Sequence, residues 1–374
     1  MQPQTGIRIL DFSTLLPGPL ATLILAEAGA EVIKVERPGC GDELRQYEPR
    51  FTRDNALFTL LNRGKCSISV DLKSAPGLDA IRKLLANIDV VVEQFRPGVM
   101  DRLGLGFDAV RHINERIIYC SITGYGQSGP LANQAGHDLN YMAHTGLLAC
   151  GTDADGRPGL PLALIADIGA GAYPAVMNVL LALRDRDHSG TGCHLDVSMT
   201  DNLFPWMASG LAQGFAFGAW PRAGRDLLNG GSPRYQIYRT SDNKYVAAAP
   251  LEQRFWDNFC DVIGLEPAQR DDGEQPQQTI DAVAALIGKQ TAAHWAKVFE
   301  DRDVCCSIVI SLKEAVRHVH FREHDLFSRT VSGCDGQTTL ALPLPIDRRW
   351  WNPETKSYPS LGEANVELFG DESV

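Results

Sequence analysis

Short apolar runs alternate with longer helix-like segments over the first 125 residues. IRILDF at residues 7–12 has the continuous apolar character of a strand that is buried on both faces. The prolines after it can open a helix at LATLILAEA, and Gly29 stands where that helix would end. Further strands are predicted at EVIKVE, CSISVDL, DVVVEQF and RIIYCSIT, with helices near 78–87 and 99–114. These repeated strand–helix–strand units predict an α/β fold with a parallel sheet and helices on both faces.

The pattern changes beyond the middle of the chain. A long helix is predicted near 169–184, and residues 193–229, rich in glycine and aromatic residues, are typical of connecting helices. Strand signals return at RYQIYRT and KYVAAAP, and three helices are predicted between residues 254 and 301. We therefore expect four parts, which are a large domain at 1–197, a linker at 198–229, a small α+β domain at 230–324, and a return linker with a C-terminal segment at 325–374. The last part is expected to pack back on the large domain.

The composition is that of a folded globular protein, with 44% hydrophobic and 22% charged residues. The net charge of −11 repels phosphate backbones, so we expect no nucleic-acid partner, although a local basic cluster could hold a small anion. The N-terminus lacks a signal pattern, and the apolar stretch 172–183 is too short to span a bilayer, so we expect no membrane association. The nine cysteines form no CxxC pair and are typical of a reducing compartment, which predicts a cytoplasmic protein.

Several common ligand motifs are absent from the sequence. No GxGxxG follows the first strand, Gly64-Lys65 lacks the upstream glycine of a P-loop, and residues 126–129 are one residue short of a nucleophile elbow. His318, His320 and His324 are close in sequence, but we interpret them as solvated surface histidines because their spacing is a poor ligand signature. We therefore expect no metal site.

Four ionisable residues stand out at positions where a core would be apolar. Asp167 lies between apolar stretches, where partial loss of solvent would raise its pKa; the alternative is that it caps a helix starting at Gly169. His137 and Asp138 lie in AGHDLNY, where the histidine could be hydrogen-bonded locally and the aspartate could cap the following helix. Glu252 follows a strand, and its alternative role is that of a first-turn helix acid favoured by the helix dipole.

Longer motifs carry a resemblance to a known family. They are LPGPLATLILAEAGAEVIKVERPG, NRGKCSISVDLK, FRPGVMDRLGLG, ITGYGQSGP, AGHDLNYMAHTGLL, ADIGAG and LNGGSPRYQIYRTSDNKYVAAAPLEQRFW. With them the chain resembles the α-methylacyl-CoA racemases, within the family III CoA-transferase superfamily, over most of its length. The resemblance implies a Rossmann-like, CoA-binding large domain, a small domain joined to it by two linkers, and a homodimer whose chains interlock.

The resemblance also implies roles for the four ionisable residues. His137 matches the family's catalytic histidine, Asp167 its catalytic aspartate, and Asp138 a supporting aspartate. Glu252 matches a glutamate that pairs with the histidine of the other chain. CoA-transferase members keep an aspartate at the Asp167 position as a nucleophile and usually lack the Gly-His-Asp sequence, so His137 favours a racemase.

Five further residues match positions that the resemblance links to coenzyme A. Arg37 and Arg96 match contacts to its nucleotide end. Arg63 and Lys65 are expected to contact its phosphates. Tyr125, in GYGQSGP, matches the loop that lines the path of the pantetheine and the thioester. The alternative for each arginine is a solvated surface charge.

The function that the resemblance implies is racemisation of 2-methylacyl-CoA thioesters through an enolate. The acyl-CoA substrate itself carries coenzyme A, so no separate cofactor is expected. The alternative is a CoA-transferase, in which Asp167 attacks the thioester carbonyl and CoA passes between carboxylic acids. A CoA-binding module without activity is a third hypothesis, against which the intact His137, Asp167 and Glu252 argue. The acyl group stays open, as do the backbone groups near 136–138 or 167–169 that could bind the enolate oxygen.

Overall fold

The chain divides into two compact units in a computed structural model that describes residues 2–151, 157–333, 336–351 and 356–370. The first unit comprises Met1–Thr145, Leu162–Trp206 and His320–Val374, and the second comprises Gly146–Pro161 and Met207–Val319. The segment 146–161, which the sequence places in the large domain, therefore belongs to the second unit. One reason is that the Asn229 side chain donates a hydrogen bond to the Cys150 carbonyl at 3.2 Å.

The elements follow one another along the chain in three groups. The first unit begins with β1 Arg8–Asp11, α1 Pro17–Glu27, β2 Glu31–Glu36, β3 Arg50–Phe51, β4 Asp54–Asn55, α2 Ala56–Leu61, β5 Cys66–Ser69, α3 Ala75–Leu85, β6 Val90–Glu93, α4 Val99–Arg102, α5 Phe107–Ile113, β7 Ile118–Thr123, α6 Asp138–His144, a π-helical segment Ile165–Ala172, α7 Tyr173–Ser189 and β8 His194–Ser198. The second unit contains α8 Ala208–Phe217, β9 Gln236–Arg239, β10 Tyr245–Ala248, α9 Gln253–Ile263, α10 Pro276–Ile287, α11 Ala292–Phe299, β11 Cys306–Ile308 and α12 Leu312–Arg317. The chain returns with α13 Val319–Glu323, β12 Thr330–Ser332, β13 Thr338–Leu340, β14 Lys356–Ser357 and α14 Asn365–Phe369.

The first unit is built on a six-stranded sheet with the order β5-β2-β1-β6-β7-β8. All of its strand pairs are parallel, which confirms the predicted α/β fold with a parallel sheet. The chain leaves β1 toward one edge through β2 and β5, and β6, β7 and β8 then extend the other side. The strand order thus reverses between β1 and β6, where the loops diverge and leave a crevice at the carboxyl ends of the strands.

Three elements differ from the sequence prediction. The helix expected at 99–114 is divided into α4 and α5, because Gly104 between them adopts a φ of +69°, which ends a helix. The helix expected from 169 begins at Ile165, since the π-helical segment runs directly into α7. Residues 193–229 are interpreted from the sequence as connecting helices, but His194–Ser198 form the strand β8. Because β8 lies at the edge of the sheet, His194 is exposed, and the apolar signal of the strand is weak.

The second unit has an apolar core of its own. The antiparallel sheet β11-β10-β9 packs against α9, α10 and α11. Trp256 and Trp295 lie at its centre, and their indole N–H groups donate to the carbonyls of Arg270 at 3.1 Å and Ile287 at 2.8 Å. The buried aromatic rings thus keep their polar atoms satisfied.

One described helical segment has the length and hydropathy that a membrane span requires. This segment is Ile165–Ser189, with 25 residues and a mean hydropathy of 1.4. The sequence prediction, which considers only the apolar stretch 172–183, therefore underestimates its length. Half of its most apolar part is buried inside the protein. A single helix of this kind is weak evidence for a membrane, because the core helices of soluble proteins share these properties.

Candidate active site

A cavity of about 440 Å³ opens at the carboxyl ends of β1, β6 and β7. It lies where the strand order reverses, which is the usual place for a ligand in an open parallel sheet. The residues that line it include Pro17, Gln94, Arg96, His137, Tyr141 and Asp167. The fold therefore brings the two principal acid–base candidates, which are 30 positions apart in the sequence, into one cavity.

Asp138 connects the segments that carry these two candidates. It is the first residue of α6 and is buried, and its Oδ1 accepts hydrogen bonds from the N–H groups of Ala166 at 2.7 Å and Asp167 at 2.9 Å. N–H groups in the first turn of a helical segment have no partner inside that segment. Asp138 therefore caps the π-helical segment, rather than α6 as expected, and fixes the backbone from which Asp167 projects.

Asp167 is the third residue of the π-helical segment, so the alternative that it caps a helix starting at Gly169 is wrong. Its carboxyl is partly buried. Burial raises the pKa of Asp167 to about 7, and the nearby negative charge of Asp138 contributes to that rise. A carboxyl with such a pKa can hold or release a proton near neutral pH, as a general acid or base must.

Replacing Asp167 by Asn is expected to stabilise the folded protein. The stabilisation relative to the wild type should be larger at pH 8 than at pH 5. Between the ordinary Asp pKa of 3.8 and the folded value of about 7, the folded protein binds more protons at this carboxyl than the unfolded chain does. Wild-type stability therefore falls as the pH rises through this window, whereas Asn does not titrate. Thermal unfolding should show a gain on the order of a few degrees at the higher pH.

The matched control is Asp79→Asn, on the exposed surface of α3, where the lost ion pair with Arg82 is worth little. Its unfolding temperature should follow that of the wild type at both pH values. An equal gain for Asp167→Asn at both pH values would contradict the raised pKa.

The backbone of His137 is held from two sides. Its N–H donates to Asn140 Oδ1 at 3.0 Å, which fixes the turn into α6. The hydroxyl of Tyr141 donates to the carbonyl of Gly136. A Cβ at Gly136 would lie 2.8 Å from the Tyr141 ring, so a side chain there would push the loop away. Asn140 and Tyr141 therefore position His137, which lines the cavity.

A second cavity, of about 700 Å³, lies at the carboxyl ends of β2 and β5. Arg37 follows β2 and Lys73 follows β5, and both residues line it. Arg37 also forms a 3.0 Å ion pair with Glu43, and both side chains are exposed. Phe95 lines both cavities, so they share a wall, and Arg96 beside it lines the first. The second cavity thus presents Arg37 and Lys73 together with four carboxylates, and its neighbour presents acid–base groups.

Arg63 and Lys65 line neither of these cavities. The Lys65 ammonium is buried and donates to oxygen atoms of Asp11, Pro19, Thr22 and Asn62. The Arg63 guanidinium is also buried and pairs with Glu27 at 3.4 Å. Cations enclosed with internal partners are not available to a ligand, so the structure does not support the expected phosphate contacts. Lys65 instead holds the turn that joins β1 to α1.

Tyr125 does not line the 440 Å³ cavity, although Gly124 before it does. It is buried, and its hydroxyl forms a 2.8 Å hydrogen bond with His144 Nδ1. Its ring meets that of Tyr141 edge to face, with centroids 5.3 Å apart. Tyr125 therefore supports the residue that holds the His137 loop.

Glu252 lies in the second unit, directly before α9. Its side chain is exposed and makes no hydrogen bond that caps the helix. It therefore stands just outside the helix rather than in its first turn, where the alternative interpretation places it. Its carboxylate is accessible from solvent.

Several residues of these cavities, Lys73 and Tyr141 among them, are missing from the sequence candidates. Lys73 directly follows the predicted strand CSISVDL, and Arg37 directly follows the neighbouring predicted strand EVIKVE. This shared position after a strand is a sequence signal that could have identified Lys73. Tyr141 has no such signal, because an aromatic residue one turn into a helix is more often part of the core.

The sequence profile of CoA-transferase family III matches residues 5–365. The α-methylacyl-CoA racemase of Mus musculus is 34% identical, over 97% of this chain and 92% of its own. The formyl-CoA:oxalate CoA-transferase of Afipia carboxidovorans is 35% identical, over 98% of this chain and 92% of its own. The solved structure of a CaiB/BaiF family protein from Brucella suis matches with a TM-score of 0.80 and 26% identity, covering 98% of both chains. Sequence identity alone therefore does not distinguish between racemase and CoA-transferase activity.

Proposed function

This chain belongs to CoA-transferase family III, and we propose that it is a racemase of 2-methylacyl-CoA thioesters within that family. It interconverts the two configurations at the α-carbon by removing a proton from one face and returning one to the other. The observation that carries the proposal is that His137 and Asp167 line one cavity, with the pKa of Asp167 raised to about 7.

The chemistry requires a base and an acid on opposite sides of the substrate. A thioester acidifies its α-proton, because the carbanion that remains delocalises into an enolate. As the C–H bond breaks, Asp167 or His137 takes the proton, and the other residue donates its own proton as the new C–H bond forms. The two residues exchange roles in the reverse direction. Histidine is the commonest general acid–base residue, and a carboxyl serves this purpose when its pKa is near the working pH.

The second cavity supports a site for the nucleotide end of coenzyme A. Arg37 and Lys73 provide positive charge for phosphates, in a cavity that also contains four carboxylates. From there the pantetheine chain passes Phe95, which lines both cavities, and brings the thioester to His137 and Asp167. The substrate thus carries the coenzyme into a site that needs no further cofactor.

Glu252 completes the site from a second copy of the chain. The family resemblance implies an interlocked homodimer, in which the partner subunit's Glu252 orients the imidazole of His137 and stabilises its cation. The exposed carboxylate of Glu252 supports this role. An assembly is also supported by α7, where Met177 and Leu181 are 62% and 67% exposed, since large exposed apolar side chains on one helix mark contact surfaces.

Incubation of one pure enantiomer of a 2-methylacyl-CoA in deuterated water, without free carboxylate, tests this function. We expect deuterium at the α-carbon and the appearance of the other configuration. An added carboxylate should receive no CoA. If CoA instead moves to the carboxylate while the α-carbon keeps its proton, Asp167 acts as the nucleophile of a CoA-transferase and the racemase proposal fails.

A further inference from the structure

Gln94 is a polar residue of the 440 Å³ cavity to which no role has been assigned. It directly follows β6 and lines the cavity together with His137 and Asp167. Its Oε1 accepts a hydrogen bond from the N–H of Gly18 at 3.0 Å. Gly18 follows Pro17 at the start of α1, so this N–H has no partner within the helix.

This hydrogen bond fixes which way the amide points. An N–H group can only be met by the oxygen of the amide, so the Nε2 of Gln94 must lie on the other side. Among the residues that the structure describes, none accepts a hydrogen bond from that nitrogen. Two N–H donors are therefore available on a half-buried side chain at the wall of the cavity.

The anchor of Gln94 is close to the segment that carries Asp167. A Cβ at Gly171 would lie 3.2 Å from the Cβ of Pro17, the residue next to Gly18. Gly171 is one turn beyond Asp167 in the π-helical segment. The start of α1, which orients the amide, thus packs directly on the helical segment that presents the base.

The reaction needs donors at the oxygen that becomes negative in the enolate. Several backbone N–H groups around the acid–base residues are already engaged, namely those of His137 with Asn140, Asp167 with Asp138 and Ile168 with Leu164. The N–H of Asp138, at the first position of α6, is not used by any hydrogen bond of the described residues. A side-chain N–H at the wall of the cavity could act beside such a backbone donor, since sites of this kind commonly provide two donors.

We propose that Gln94 is a further catalytic residue, whose Nε2 donates to the thioester carbonyl oxygen and stabilises the charge that develops there. As the α-proton leaves, the electron pair of the C–H bond moves into the new C=C bond and the carbonyl electrons move to that oxygen. The donor contributes more to the enolate than to the neutral thioester, so it acts on kcat rather than on KM. This inference rests on the proposed α-proton chemistry.

Two substitutions separate the donor from the other roles of this side chain. Gln94→Glu keeps an acceptor for the Gly18 N–H but removes the donor and adds a negative charge. Gln94→Leu removes both the acceptor and the donor without adding a charge. We expect both variants to lose on the order of 10²–10³-fold in the kcat for deuterium incorporation, with KM nearly unchanged.

Each other outcome overturns the inference in a different way. If only the Leu variant is impaired, Gln94 serves to hold α1; if only the Glu variant is impaired, its added charge is the cause. If both variants exchange as the wild type does, the amide makes no contact with the reacting oxygen. A wild-type enzyme that does not exchange the α-proton at all overturns the proposed function first and this inference with it.

Discussion

Asp167→Asn is expected to reduce racemisation of a 2-methylacyl-CoA on the order of 10²–10⁴-fold, the contribution that a positioned general acid–base residue makes. An amide can neither take the α-proton nor return one, and each turnover in either direction needs this position once. The carboxamide has nearly the same shape, and Asp138 bonds to the backbone of residue 167, so the cap remains. The KM for the CoA ester should therefore change little. His137→Ala should show a loss of the same order for the same reason.

The comparison requires that both variants remain folded. Asp167→Asn should unfold at a higher temperature than the wild type near pH 8, so a loss of activity would not reflect a loss of stability. Asp79→Asn provides the matched change of charge outside the cavity and should retain full activity. Near-normal racemisation by His137→Ala would refute the assignment of two bases.

A dimer that combines Asp167→Asn in one chain with Glu252→Gln in the other is expected to recover up to about half of the wild-type activity. In an interlocked homodimer each site takes Asp167 from one chain and Glu252 from the partner. The hybrid then contains one site with both substitutions and one with neither, although each parent dimer has two defective sites. Co-expression with two different tags and purification of the doubly tagged dimer provide the sample.

Two measurements on the parents set the baseline for this hybrid. Glu252→Gln must itself be severely impaired, as expected if its carboxylate stabilises the imidazole cation. Sedimentation should show a dimer for the wild type and for both variants. A hybrid no more active than its parents, or a chain that sediments as a monomer, would refute the shared site.

The parallel sheet was predictable because its strands carry their own signal. β7 is buried along its whole length, and its apolar run is therefore visible in the sequence. β8 was not predictable, since an edge strand in which polar residues alternate with apolar ones over only five positions resembles a loop. The two short helices at 99–113 also look continuous in sequence, because only the backbone conformation of Gly104 separates them.

The site was only partly predictable, because contacts between distant segments decide its details. The sequence indicated that Asp138 caps a helix, but the helix it caps begins 27 positions later, at Ile165. Lys65 has the chemistry of a phosphate ligand, and only the fold shows its ammonium enclosed by oxygen atoms of the interior. The donor of Gln94 likewise became visible only when its partner Gly18 was known.

Racemisation by this site requires that His137 and Asp167 address opposite faces of one α-carbon, and enantiomer-specific exchange in the two variants tests this requirement. Each pure enantiomer of a 2-methylacyl-CoA is incubated in deuterated water with His137→Ala and, separately, with Asp167→Asn. A variant that keeps one base can still remove and return the proton on one face. We therefore predict that each variant incorporates deuterium into one enantiomer without inverting it, and that the two variants select opposite enantiomers. Exchange of the same enantiomer by both variants, or inversion by either at a rate near that of the wild type, would contradict the account.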